Sequence, residues 1–122
     1  MRVLVVDDED DIRRVVRLSL EKVGGMEVLE APGGAEGVRA AETEQPDVIL
    51  LDVAMPAMDG VATLSALRAN PATSRIPVVF LTAKPITPAV RRLEDLGAQA
   101  ILAKPFDPLL LPGQLRRLLG QA

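Results

Sequence analysis

The sequence predicts an α/β fold: a doubly wound, five-stranded parallel sheet with helices on both faces. Two observations predict it. Five short apolar runs recur along the chain, several without polar alternation, as strands covered on both faces require. Between them lie amphipathic stretches with the i, i+3, i+4 spacing of helices, and that alternation implies right-handed βαβ units. At 122 residues the chain has the length of one domain, taken as residues 1–122.

The elements follow in order. Val3-Leu4-Val5-Val6 is the first apolar run. Ile12, Val15, Val16, Leu20 and Val23 then form a helical stripe, ended by Gly24-Gly25. Met26 to Leu29 is the second strand, and Val38 with the small residues Ala35 and Ala41 marks the second helix. Val48-Ile49-Leu50-Leu51 precedes a helix striped by Val61, Leu64 and Leu67. After Val78-Val79-Phe80-Leu81, Thr87 and Pro88 read as N-cap and first residue of a late, short fourth helix, with Val90, Leu93 and Leu96 as its stripe before Gly97. Ala100-Ile101-Leu102 is the fifth strand, and Leu115, Leu118 and Leu119 line the last helix. Pro112-Gly113 is expected to break into that helix. Leu109-Leu110-Leu111, just before, is either an exposed interface patch or core.

Composition removes several function classes. The net charge of −3 gives no basic field for nucleic acid. Without cysteine there are no disulfides, thiol nucleophiles or thiolate metal ligands. Met1 to Val6 run straight into Asp7, too short and acidic for a secretory signal, and no apolar run approaches the roughly 20 residues of a membrane span. The expectation is a cytoplasmic domain with no membrane partner and no direct nucleic-acid binding. Phe80 and Phe106 are the only aromatics, so Leu, Val, Ile and Ala must build the core.

Parallel sheets of this kind bind ligands beyond the carboxyl ends of their strands. There the sequence places Asp7-Asp8-Glu9 after the first run, Asp52 after the third, Thr82-Ala83 after the fourth and Lys104-Pro105 after the fifth. Strand order 2-1-3-4-5, the flavodoxin-like arrangement, would gather these groups at one edge. Carboxylates about 4 Å apart repel by about 1 kcal/mol in water and about 4 kcal/mol at an effective dielectric of 20. A cluster of Asp7, Asp8 and Asp52 therefore calls for a divalent cation, and all-oxygen donors favour Mg²⁺ or Mn²⁺. An aspartate beside such an ion can attack phosphorus and carry the group as an acyl phosphate. Lys104, the Thr82 hydroxyl and the Ala83 backbone N–H would then meet the phosphoryl oxygens. Singly, each residue has a plainer reading as a cap, a turn or surface charge; together, at successive strand ends, they describe a site.

Val5-Val6-Asp7-Asp8-Glu9, Pro46-Asp47-Val48-Ile49-Leu50-Leu51-Asp52, Met55-Pro56-Ala57-Met58-Asp59-Gly60, Leu81-Thr82-Ala83 and Lys104-Pro105-Phe106 resemble the receiver domains of two-component response regulators, over essentially the whole chain. The resemblance implies that Asp52 accepts a phosphoryl group from the phosphohistidine of a sensor kinase or phosphotransfer protein. It implies Asp8 as a direct Mg²⁺ ligand, Asp7 acting on the metal largely through water, and the Ala54 carbonyl as a further protein oxygen. Thr82 would turn toward the phosphoryl group, Lys104 would pair with it, and the Lys104–Pro105 bond would be cis. It also implies a downstream protein target, self-catalysed dephosphorylation rather than turnover of a separate substrate, and either a monomer or a phosphorylation-dependent dimer. Ala122 falls about where such a domain ends, so the chain could stand alone or be part of something longer.

Several positions depart from the pattern. Many receivers carry Tyr or Phe three residues before the lysine, where Ile101 stands here. Pro85, Pro88 and Pro112 make the fourth and fifth helices irregular. Lys84, two residues past Thr82, lies with Ala54 beside the path of a hydrolytic water in this family, so altering Lys84 is expected to change the acyl phosphate lifetime. Rival readings each miss a feature. A dehalogenase-type phosphohydrolase wants a second Asp where Ala54 stands, and a flavodoxin-like carrier wants a Ser/Thr/Gly loop where Asp7-Asp8-Glu9 stands. A receiver-like scaffold that signals without phosphorylation remains the alternative.

Overall fold

The computed structural model describes residues 1–83 and 85–120. Strands β1 (Arg2–Val6), β2 (Glu27–Ala31), β3 (Val48–Asp52), β4 (Val78–Thr82) and β5 (Ala100–Ala103) form one parallel sheet in the order β2-β1-β3-β4-β5. This is the predicted flavodoxin-like order. Val5 pairs with Leu50, Leu50 with Val79 and Val79 with Ala100, so the carboxyl ends of the strands share one edge.

Alternation along each strand sends side chains into two apolar layers. Val3, Val5, Val48, Leu50, Val79 and Leu81 face Val16 and Leu20 of the first helical segment and Leu111 and Leu115 of the last. Leu4, Val6, Ile49, Leu51, Val78 and Phe80 face Ala41, Leu64 and Leu67, with Ile86, Val90 and Leu93 packed beside them. The helices are α1 (Asp10–Leu18), continued by a π-helical turn Ser19–Val23; α2 (Gly34–Glu44); α3 (Gly60–Ala69); α4 (Pro88–Arg91), continued by a 3₁₀ turn Arg92–Leu96; and α5 (Leu111–Leu118). Among the described residues, no helix is long and apolar enough to cross a membrane.

Thr87 caps α4 as predicted, its hydroxyl accepting the Val90 N–H at 3.3 Å, with Pro88 in the first turn. The expected break at Pro112 does not occur. The helix instead begins at Leu111, which puts Pro112 in the first turn, where a proline removes no intrahelical hydrogen bond. The Asp107 carbonyl accepts from Leu110 and Leu111 N–H at 3.0 Å each and turns the chain into it. The leucine triplet divides: Leu111 is fully buried, while Leu109 and Leu110 are 71% and 57% exposed. Strand β2 starts one residue after Met26, and the first helical stripe is narrower than its spacing implied, with Val15 and Val23 exposed.

Candidate functional site

The site is built where β1, β3, β4 and β5 end. Asp7 follows β1, and its backbone N–H still reaches the Ala31 carbonyl of β2 at 3.2 Å. Its buried carboxylate accepts from the Glu9 N–H at 2.9 Å and from the Lys104 ammonium at 2.8 Å. Asp52 is the last residue of β3 and is buried. One of its oxygens accepts from the Ala54 N–H at 3.4 Å and lies 3.4 Å from the Lys104 nitrogen. Asp8 is exposed beside them. Ligand oxygens of Asp7, Asp8 and Asp52 all lie within 4.8 Å of one another.

Thr82 closes β4 and is buried; Ala83 and Ala54 are exposed at the rim. Thr82 pairs with Ala103, and its carbonyl accepts the Lys104 N–H at 2.7 Å. The Lys104–Pro105 peptide is cis, as the resemblance implied. All seven predicted site residues therefore stand at one edge of the sheet. Lys84 lies outside the described residues.

The loop from Asp52 to α3 is tightly tied. Val53 N–H donates to Leu81 O at 3.2 Å and Gly60 N–H to Val53 O at 2.9 Å. Met58 N–H donates to Pro56 O at 2.8 Å across Ala57, whose φ of 63° gives a γ-turn. Asp59 then caps α3, its carboxylate accepting from Ala62 N–H at 2.8 Å. At Gly60 a side chain has no room: a Cβ would meet the Asp52 carbonyl oxygen, with Val53 Cα at 2.8 Å and Phe80 Cε1 at 2.9 Å.

Electrostatics show what the cluster is short of. Burial, then the nearby charge of Asp7, push the Asp52 carboxyl above its ordinary pKa of 3.8, against the opposing pull of Lys104. Burial lowers Lys104, but its hydrogen bond to Asp7 and the charges of Asp7 and Asp52 outweigh this, so it ends above 10.5. With all four groups charged, three carboxylates face one ammonium. The surplus of two negative charges and the purely oxygen donor set fit a hard divalent cation.

The functionally interesting residue that sequence reasoning missed is Arg13, whose guanidinium donates to the Asp7 carbonyl at 2.7 Å. The available signal was an arginine next to Ile12, four residues past Glu9 and two past the end of the acidic stretch Asp7 to Asp11.

The chain is 38% identical over 122 residues to the alkaline phosphatase synthesis transcriptional regulatory protein PhoP of Bacillus subtilis, covering 99% of this chain but 49% of that protein, so it spans about half of such relatives. It is 37% identical over 107 residues to a probable chemotaxis protein CheY of Rhizobium etli, covering 87% of this chain and 82% of that one. The solved structure of chemotaxis protein CheY4 of Vibrio cholerae superimposes with a TM-score of 0.88 at 35% identity, over 96% of this chain and 97% of that one. The family model for the response regulator receiver domain matches residues 3–116, and the chain belongs to that family.

Proposed function

We propose that this domain stores a signal as an acyl phosphate on Asp52, accepted from the phosphohistidine of a sensor kinase or phosphotransfer protein with the help of Mg²⁺. The observation that carries this reading is the placement of Lys104 between two buried carboxylates, 2.8 Å from Asp7 and 3.4 Å from Asp52, with Asp8 at the rim.

Asp7, Asp8 and Asp52, with the Ala54 carbonyl, would hold the cation, and Mn²⁺ could replace it. When bound, the ion supplies positive charge to the phosphoryl oxygens and to the crowded carboxylates. The chain's own residues do the rest. An Asp52 oxygen attacks phosphorus; a P–O bond forms, the P–N bond of the donor breaks, and the imidazole leaves with the electron pair. Lys104 and the Ala83 N–H receive phosphoryl oxygens, and the Thr82 hydroxyl turns toward them. Water attacking phosphorus later breaks the same P–O bond and returns the Asp52 carboxylate and inorganic phosphate, which makes the domain a timed switch rather than a turnover enzyme. A downstream protein reads the phosphorylated surface, with the domain acting as a monomer or as a phosphorylation-dependent dimer.

The experiment is intact mass after incubation with Mg²⁺ and acetyl phosphate. A gain of one phosphoryl mass, absent in Asp52→Asn and without the metal, is expected. No gain from either acetyl phosphate or a phosphorylated kinase domain would overturn the reading in favour of a non-phosphorylated scaffold. Ile101 is the observation that favours the scaffold: it is buried in the core beside Phe80, an aliphatic side chain where many receivers have a mobile aromatic.

A further inference from the structure

Arg13 reaches the acidic turn from α1 although no motif includes it. Its three donor positions have three different partners: Nη1 to the Asp7 carbonyl at 2.7 Å, Nε to Glu30 of β2 at 3.2 Å, and Nη2 to Asp10. Only 13% of its side chain is exposed. The other Glu30 oxygen accepts from Arg17, which also donates to the Val28 carbonyl at 3.1 Å. The guanidinium is thus braced against β2, and its planar fork is stiff enough to hold a carbonyl in place.

The braced atom matters for Asp8. The Asp7 carboxylate is fixed by Glu9 N–H and Lys104. The Asp8 carboxylate is exposed and has no hydrogen-bond or ion-pair partner among the described residues. With no side-chain partner to orient it, the backbone sets where that side chain starts from. The Asp7 carbonyl belongs to the rigid peptide plane that joins Asp7 to Asp8, so fixing that oxygen fixes the plane from which Asp8 departs.

We propose that Arg13 is a positioning residue for the cation site: through the Asp7 carbonyl it sets the Asp7–Asp8 peptide plane, and so aims the Asp8 carboxylate at those of Asp7 and Asp52. The inference rests on the reading of this cluster as a divalent-cation site. It makes a prediction of unusual sign. An arginine that acted only through its charge would repel a cation, and removing it would tighten binding. A positioning arginine does the reverse, and second-layer partners of metal ligands are typically worth 10–100-fold in affinity.

The test is calorimetric titration of Mn²⁺ into the full chain at fixed ionic strength, with no phosphodonor, for wild type, Arg13→Gln and Arg13→Lys; circular dichroism melts confirm folding. Arg13→Gln should bind about tenfold more weakly despite the lost positive charge. Arg13→Lys, which keeps the charge but not the fork, should also be weaker. Unchanged or tighter binding in the glutamine variant, or full wild-type affinity in the lysine variant, overturns the proposal. Should both variants fail to fold, Glu30→Gln takes their place: weaker Mn²⁺ binding supports the brace and unchanged binding overturns it. A wild type that binds no Mn²⁺ removes the cation site and this inference with it. A wild type that binds Mn²⁺ but takes no phosphoryl group overturns only the phosphoacceptor reading, since the ratio between variants stands by itself.

Discussion

The Lys104 ammonium is 2.8 Å from Asp7, nearer than its 3.4 Å approach to Asp52. The lysine therefore neutralises the first strand's carboxylate more fully than the third's. That asymmetry leaves Asp52, the nucleophile of the proposed reaction, as the more poorly compensated of the two buried acids.

Removing the ammonium should be costly. Lys104→Met would leave both buried carboxylates without their shared counter-charge, and breaking a buried pair in this way typically costs about 3–5 kcal/mol. Urea unfolding in EDTA at pH 7 should show a loss of that order. The loss should shrink toward pH 4, as Asp52, whose pKa burial and Asp7 raise, becomes able to protonate. Because the folded pKa of Lys104 is raised, its contribution is fully present below 10.5 and is lost as pH climbs through the folded value.

Asp52→Asn should act in the opposite direction. Burial and Asp7 raise the Asp52 pKa above 3.8, so the native state holds this proton more tightly than the unfolded chain does. Stability is then greatest below 3.8 and falls as pH rises through the folded value, each unit of elevation being worth about 1.4 kcal/mol. Metal-free Asp52→Asn should be more stable than wild type at pH 7 and no more stable at pH 3. A variant equally stabilised at both pH values would refute the electrostatic explanation.

The leucine triplet offers a packing test. Leu111→Ala removes a fully buried side chain and should cost about 2–5 kcal/mol by chemical denaturation. Leu109→Ala and Leu110→Ala, both mostly exposed, should stay within about 0.5 kcal/mol of wild type. Equal losses at all three positions would contradict the placement of α5.

Gly60→Ala should destabilise through backbone contact rather than conformation. The added methyl meets the Asp52 carbonyl and Val53 Cα, neither of which can rotate away. A cost of about 1–3 kcal/mol is expected from thermal or urea unfolding. Because the displaced backbone carries Asp52, Mn²⁺ affinity should fall in parallel.

The strand order and the gathering of the predicted residues at one edge were legible because both rest on one-dimensional signals. Uninterrupted apolar runs mark strands covered on both faces, and the residue after each run lands at the shared edge. Asp7, Asp52 and Thr82 could be placed from that rule alone, and Lys104 lies two residues past the fifth run. What escaped depends on orientation about an element's axis. Val15 and Val23 fall on the same helical repeat as Val16 and Leu20, yet the sheet covers only part of the helix surface and leaves the first two exposed. Leu109, Leu110 and Leu111 are indistinguishable until the turn at Asp107 points one inward. Pro112 was misjudged because a proline ends a helix or opens one depending on a boundary that composition does not mark. Arg13 was missed for a related reason, since its partner at the acidic turn is a backbone oxygen and carries no residue identity.

The two-faced core has a consequence for alignment. In a sheet with one wet face, sliding a strand by one residue exposes its apolar set, and that penalty holds the register. Here both faces are dry: moving Val3 into the place of Leu4 would exchange one greasy layer for another. Something other than hydrophobicity must keep the strands level. At the edge opposite the site, the Arg2 N–H donates to Asp47 at 2.7 Å, and its guanidinium bonds Glu27 at 3.0 Å and Glu44 at 2.9 Å. One residue thereby pins the starts of β1 and β2, the end of α2 and the entry to β3. A slip of either neighbour would break these polar contacts at once. The levelness of Asp7 and Asp52 at the far rim is thus inherited from a charged fastening at the sheet's other end.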